Sequence, residues 1–301
     1  MSRLRLTTSL VVCALATAGL TAQQTPLFRA TVDVVAVDAA VTRGRTPVAG
    51  LTAADFRLTD NGVPQTIESV SQGTMPLDVT IVLDFSNSVR DDFDDFVRSA
   101  AAMQGLLRPE DRWRWLGIFM EARELLPMRP ATDPLPPIQR PGAVAATALA
   151  DTVFLALVRP GEPARRHLVI VFTDGNDSWS ILDTERLPAI AGQADAVLHA
   201  VVAGQPPAPQ QIESGMGQRR ALRWRASQNA LFDAVRESGG SVQRLSSRTA
   251  AFARIIEDFR TAYAIRYSPS GADTPGWHAV TVTLTSPRGL TVRARRGYER
   301  R

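Results

Sequence analysis

Hydrophobic positions follow three rhythms along this chain. The first is the unbroken apolar run: Leu77–Asp84 (LDVTIVLD), Arg166–Asp174 (RHLVIVFTD) and Ala196–Ala203 carry apolar residues on both faces. Such runs read as strands buried on both sides, as in a parallel sheet covered by helices. The second rhythm has the helical period. Phe93, Val97, Ala100 and Leu107 form one stripe, Leu149, Val153 and Leu157 another, and Phe252, Ile255, Ile256 and Phe259 a third. These predict helices over about 91–107, 148–158 and 249–259, with shorter ones over 183–194 and 229–238.

The third rhythm is strict alternation, confined to the chain ends. Val280, Val282 and Leu284 alternate with threonines, and Leu290, Val292 and Ala294 alternate with Thr291, Arg293 and Arg295, as half-buried antiparallel strands do. At the other end Thr31–Thr42 is dense in valine, Thr52–Asp55 fits a variant capping box for one helical turn, and Phe56–Leu58 begins a strand that turns at Asp60-Asn61-Gly62. Trp113–Met120 and Arg123–Met128 read as a strand pair. Pro127–Gly142, with six prolines, reads as a long rim loop, and Gln205–Gln228 as an exposed loop or a partly helical insertion.

The expected class is therefore α/β: a doubly wound, mostly parallel sheet over 76–260, with a small antiparallel β unit from the two chain ends. Neither 23–75 nor 261–301 offers enough strands to bury a core alone, so the two are expected to pair. Residues 1–22 combine Arg3 and Arg5, an apolar centre from Leu10 to Leu20 and small residues before Gln23, the three-part pattern of a secretory signal cleaved near Ala22. The expected location is secreted or periplasmic; contact with a membrane would require the signal to stay uncleaved.

Charge and cysteine usage narrow the chemistry. All 34 basic residues are arginine, against 30 acids, and two of those arginines lie in the signal. Six arginines fall from Arg288 onward, so the remainder of the mature chain is slightly acidic, a poor nucleic-acid footprint. The only cysteine, Cys13, lies in the signal, which leaves no disulfide or zinc thiolate to the mature chain.

Candidate chemistry gathers at the carboxyl ends of the apolar runs, where open α/β sheets collect ligands. Asp84, Ser86 and Ser88 place three oxygen side chains at alternate positions of one loop. Hard oxygen donors suit Mg²⁺, but Asp and Ser are equally ordinary turn residues that bond their own backbone. Thr147 opens a helix, and Asp174 closes the second run before a glycine turn. In that order, Asp-x-Ser-x-Ser, Thr, then Thr-Asp-Gly, the chain resembles the von Willebrand factor type A (VWA) family over about 76–260. The resemblance implies a metal-ion-dependent adhesion site (MIDAS) built from Asp84, Ser86, Ser88, Thr147 and Asp174, holding Mg²⁺ or Mn²⁺. Ala145 and Ala146 precede Thr147 where family members often carry glycine, which implies a stiffer loop. The segments GLTAADFRLTDNG (Gly50–Gly62) and VRARRGY (Val292–Tyr298) are similar to the margins of a bacterial secreted subgroup.

What the resemblance implies is a protein-binding module for adhesion or assembly, whose partner offers an acidic side chain, and not an enzyme. The alternatives are a metal-dependent phosphatase or hydrolase, and a scaffold whose metal site is unused. A phosphatase of the haloacid-dehalogenase type needs a second acid at position 86, which here is Ser86. There is no Walker phosphate loop and no serine-hydrolase elbow. The acids Asp91, Asp92, Asp94 and Asp95 suit the first turn of a helix without any metal role.

Overall fold

The computed structural model describes residues 34–139, 142, 144, 146–159, 162, 164–203, 215–244, 248–287 and 289–300. The segment read as a secretory signal and the first residues of the strand expected from Thr31 lie outside them. The chain begins with β1 (Val35–Arg43), β2 (Thr46–Pro47), β3 (Phe56–Asp60), β4 (Val63–Gln65) and β5 (Ser69–Gln72). An alternating stretch follows: β6 (Leu77–Asp84), α1 (Phe93–Ala102), β7 (Arg112–Ile118), β8 (Ala122–Pro130), α2 (Leu149–Leu157), β9 (Arg166–Thr173) and α3 (Leu187–Gln193). It continues through β10 (Val197–Val202), α4 (Gly215–Glu237), β11 (Val242–Arg244) and α5 (Arg248–Thr261). The last strands are β12 (Tyr263–Tyr267), β13 (Gly276–Leu284), β14 (Thr291–Ala294) and β15 (Gly297–Arg300).

Strands β6–β11 form one sheet in the order β11-β10-β9-β6-β7-β8, parallel throughout except for the antiparallel edge strand β8. The chain winds outward from β6 in one direction and then from β9 in the other. The strand order therefore reverses between β6 and β9, and the crevice of a doubly wound fold opens at their carboxyl ends. Every residue of β6, β9 and β10 is buried, which is why those runs have no polar face. The pleat divides β6 between two cores. Ile81 and Leu83 pack with Phe93 and Met103 from the α1 side and with Phe252 and Ile256 of α5, while Val82 packs with Leu149, Val153, Leu187 and Leu231 of α2, α3 and α4. Each such fully buried aliphatic side chain contributes roughly 1.5–3 kcal/mol.

The remaining strands form two antiparallel sheets, β14-β1-β12-β5 (with β2 beside β1) and β15-β13-β3-β4, so each sheet holds strands from both chain ends. Their inner faces share one core that includes Val37, Val41, Phe56, Tyr263, Ile265 and Val282. In β13 alternate residues are buried, as the alternation of Val280, Val282 and Leu284 predicts. Inside this core Asp60 Oδ2 accepts hydrogen bonds from Tyr267 (2.9 Å) and Tyr298 (2.8 Å), and Oδ1 meets His278 Nδ1 at 2.6 Å. The four residues come from β3, β12, β13 and β15, so one buried polar cluster ties the two sheets together. After Asp60 the chain reverses through Asn61 (φ 47°) and Gly62 (φ 81°), the left-handed pair that a tight hairpin requires.

Two expectations are corrected. Pro127 does not begin an irregular stretch, because β8 runs on to Pro130. As the edge of the sheet it tolerates proline, whose missing N–H would break the ladder of a central strand. The helix expected over 229–238 starts earlier: α4 begins at Gly215 and runs 23 residues, so of the two readings of 205–228 the partly helical one holds from Gly215 on, whereas 204–214 lies outside the described residues. Its inward side is made of small residues, Ala221, Ser227 and Ala230, which leave no apolar stripe to read until Leu231.

Two predictions follow from this packing. His167 bonds Thr80 Oγ1 and His199 bonds Ser241 Oγ. Burial first, then neighbouring arginines, pushes His167 down to about 4 and His199 down to about 3. Both are neutral in the fold, so their contribution is complete above the unfolded histidine value, about 6.5, and is lost as pH falls through about 4. Urea denaturation between pH 7 and 4.5 is expected to show a His199→Gln variant with a shallower fall than the native chain, by up to about 1.4 kcal/mol per pH unit. Separately, Ala39–Thr42 of β1 pairs with β14. Removing 288–301 is expected to speed amide exchange across β1; unchanged exchange there would show that β1 stands without its C-terminal neighbour.

Candidate metal centre

Asp84 ends β6 and Thr173 ends β9, adjacent strands at the point where the strand order reverses. Thr173 Oγ1 donates to Asp84 Oδ2 at 2.7 Å, and Ser86 N donates to Asp84 Oδ1 at 2.8 Å, so both carboxylate oxygens are oriented. Asp84 is fully buried. That burial, followed by the charge of Asp174, pushes its carboxyl up to about 7. Two carboxylates held this close without a cation repel each other, a relation that structural ion pairs avoid.

The loop after Asp84 is anchored by aromatic packing: Phe85 stacks on Phe119 (centroids 4.6 Å apart) and tilts against Phe93 (4.8 Å). Ser86 stands at the N-cap of a short 3-10 helix, Asn87–Asp92, yet its hydroxyl makes no capping bond. It meets the Ser88 hydroxyl at 2.9 Å instead. The turn reading explains the Asp84–Ser86 N bond but not this pair, because turn and cap serines satisfy their own backbone. Asp84 and Ser86 are buried and Ser88 is exposed, so the loop opens outward at Ser88.

Asp174 and Thr147 reach the same end of the sheet by different routes. Asp174 Oδ1 accepts from Asn176 N (2.9 Å), and the Asp174 carbonyl accepts from Trp224 Nε1 (3.2 Å) and Gln228 Nε2 (3.0 Å) of α4. Gly175 has φ +82°, and a Cβ there would come within 3.0 Å of Gln228, so the Thr-Asp-Gly turn requires glycine on two counts. Thr147 is buried. Its hydroxyl donates to the Asn176 carbonyl (3.1 Å) and lies 3.2 Å from the Ser178 hydroxyl, while its amide donates to Ser178 Oγ. Thr147 is thus tied to the 174–178 loop, and Asp84, Ser86 and Ser88 join Asp174 through adjacent strands.

Several residues that hold this arrangement are not legible as a motif. Asp177 Oδ2 accepts from Ala150 N (2.7 Å) at the start of α2, which locks the loop to the helix that carries Thr147 on its threshold. Ser227 Oγ donates to the Gly175 carbonyl and accepts from Asp177 N, so α4 braces the loop at Asp174, Gly175 and Asp177. The second acid of the Asp-Gly-Asn-Asp run is the one available sequence signal for Asp177; nothing local marks Trp224, Ser227 or Gln228.

The donor set consists of oxygen atoms only: two carboxylates and three hydroxyls. This fits a hard divalent cation and is unlike the nitrogen and sulfur sets of zinc sites. Among the described residues no group of three or more His, Cys, Asp or Glu side chains forms a metal cluster, so hydroxyls have to complete any site here. A cleft of about 400 Å³ at the amino ends of the parallel strands, opposite this site, is lined by Arg165, Arg166, Asp38 and Arg295. Arg165 there is paired with Asp78 and Arg166 with Asp38, which makes the cleft a structural seam.

A doubly wound sheet with one antiparallel edge, and an oxygen donor set at its reversal point, gives this domain a VWA-type architecture. No family model matches the sequence, and no curated protein matches it. Solved structures similar in fold include an aerotolerance-related membrane protein from Bacteroides fragilis, at 15% identity and TM-score 0.43, covering 61% of this chain and 98% of that one. The ArnB paralog VWA2 from Sulfolobus acidocaldarius has 9% identity and TM-score 0.46, covering 89% of this chain and 76% of that one. The proximal thread matrix protein 1 of the mussel byssus, with a zinc-occupied MIDAS motif, has 13% identity and TM-score 0.45, covering 66% of this chain and 49% of that one. At these identities the likeness is one of fold.

Charge repulsion between Asp84 and Asp174 has a measurable consequence. In chelator at pH 8, Asp174→Asn is expected to melt higher than the native chain, by on the order of 1 kcal/mol of stability, the scale of one pKa unit. The Asn176 amide keeps an acceptor in that variant. A lower melting temperature would mean that the two carboxylates do not oppose each other.

Proposed function

We propose that this protein is a secreted or periplasmic binding module that captures a carboxylate of a protein partner at a metal site formed by Asp84, Ser86, Ser88, Thr147 and Asp174. The observation that carries the reading is the Ser86 hydroxyl. It stands at a helix cap without capping, paired with Ser88 beside two buried carboxylates that have no ion-pair partner among the described residues. Mg²⁺ or Mn²⁺ bound there would supply a Lewis-acidic centre able to accept a further oxygen ligand. Two carboxylates balance a dication without exceeding it, so this chain's own charge does not repel a third carboxylate from outside. Thr173 and the Ser86 amide orient Asp84; Asn176 orients Asp174; α4 holds the loop between them.

A binding role also suits what surrounds the site. None of the three histidines lies at the carboxyl end of the sheet: His167 is at the start of β9, His199 is within β10, and His278 is in the β-sandwich core. Among the described residues no nucleophile is paired there with a base, as hydrolysis requires. Secretion rests on the charge and hydropathy pattern of 1–22, and among the described residues no helix is long and apolar enough to cross a membrane. The partner's acidic side chain rests on the donor set's chemistry.

Thermal melts in Mg²⁺ or Mn²⁺ and in chelator test the site. The native chain is expected to gain several degrees with metal, and Asp84→Ala and Asp174→Ala to gain none. Equal shifts in all three would remove the assignment. A pull-down from the native envelope fraction, run with Mg²⁺ and again with chelator, then tests capture, and a phosphatase activity lost in Asp84→Asn would overturn the binding reading.

A further inference from the structure

The first half of α4 carries Arg219, Arg220, Arg223 and Arg225, all exposed, and no acidic residue occurs in the helix before Asp233. Among the described residues no carboxylate pairs with any of the four. This arrangement works against the helix. Cations near a helix N-terminus oppose its dipole, and Arg219 with Arg223, four apart, and Arg220 with Arg223, three apart, place like charges side by side. Among the described residues no ion pair compensates for it.

The same helix touches the metal centre. Trp224, Ser227 and Gln228 form the row that bonds Asp174, Gly175 and Asp177. At 3.6 residues per turn Arg220 lies within roughly 40° of Trp224 around the helix axis and about 6 Å further along it, so it extends that row past the site. Arg223 and Arg219 lie on the same flank as Arg220. On the opposite face of the sheet, the 3-10 helix that begins at Asn87 and the first turn of α1 carry Asp91, Asp92, Asp94 and Asp95, the last paired with Arg98. The metal centre therefore sits between a basic flank and an acidic one. An extended polyphosphate crossing it would meet repulsion on one side, whereas a compact acidic segment can lie wholly against the arginines.

We propose that the partner is a polypeptide bearing a cluster of acidic side chains, one at the metal centre and its neighbours against Arg219, Arg220 and Arg223. The inference rests on the metal-binding reading for its anchoring carboxylate, and it adds the sequence character of the partner. Arginine suits the role, since its planar fork binds carboxylates in pairs.

A fluorescein-labelled octaglutamate peptide is the probe, with anisotropy measured on the full chain in Mg²⁺ and in chelator, from 50 to 300 mM NaCl. A triple variant, Arg219→Gln with Arg220→Gln and Arg223→Gln, is exposed throughout and is checked for an unchanged melting temperature. The native chain is expected to bind the peptide at least tenfold more tightly than the triple variant in 50 mM NaCl, the difference shrinking as salt rises. Equal affinities would overturn the proposal. So would labelled oligodeoxythymidine binding as tightly as the peptide and losing as much in the triple variant, or self-association of the native chain that the variant abolishes. If chelator leaves native peptide binding unchanged while the triple variant still loses it, the metal reading fails and the arginine row stands. If chelator weakens native binding and the triple variant matches the native chain, the metal reading stands and the arginine row fails.

Discussion

The bond between Thr173 and Asp84 spans the seam on which the rest of this domain depends. It joins the carboxyl ends of β6 and β9, where the chain's winding reverses and no helix can cover the strand ends. A carboxylate placed at that seam loses its hydration, and the charge that acts on it is that of another carboxylate, Asp174. Among the described residues no arginine is paired with Asp84, whereas three are paired with Asp78 at the opposite end of the same strand. One strand thus carries two buried aspartates with opposite treatment. Asp78 meets guanidinium groups that hold it below the usual carboxylate range against the effect of burial, and Asp84 is left with hydroxyls and amides.

That contrast sets a charge neutralised by ion pairs against one held by hydrogen bonds alone among the described residues. Around Asp84 the surrounding architecture is stiff: stacked phenylalanines below, the glycine turn of 174–176 beside it, and α4 bonded across the outside. Rigid elements positioning under-compensated donors is the arrangement expected of a site that waits for a ligand, because the order is built in before the ligand arrives.

Much of this was legible from the residues. The buried strands announced themselves because burial on both faces leaves them without a polar face, and the order of Asp84, Ser86, Ser88, Thr147 and Asp174 could be read because each stands at or near a strand or helix end. What stayed hidden did so for physical reasons. The first half of α4 buries Ala221, Ser227 and Ala230 and exposes arginines, so it lacks the apolar stripe that reveals a helix, although Arg, Gln, Ala and Leu are good helix formers. Strand β11 spans three residues, too few for any period to show. Asp177 and the α4 brace act across 27 to 54 positions of sequence, a separation no local pattern can report. The prolines of β8 misled because proline is excluded from central strands only, and the sequence does not say which strand is the edge.

The cluster of Asp60, Tyr267, Tyr298 and His278 bears on how such a chain reaches its folded state. His278 and Asp60 meet across 218 positions, and Ala39 pairs with Ala294. During synthesis the strands of the N-terminal segment emerge first, and although β1 can pair with β2 and β3 with β4, each sheet lacks its remaining strands until the C-terminal ones follow. Contacts so distant along the chain close slowly, since the loop entropy is lost before the pairing is gained. The intervening parallel-sheet domain shortens that search once it folds, by bringing Gln72 of β5 and Tyr263 of β12 into register from its two ends. Folding of the sandwich is then a second event contingent on the first, and a chain halted before Tyr298 would present unpaired strand edges and a buried aspartate missing one of its donors.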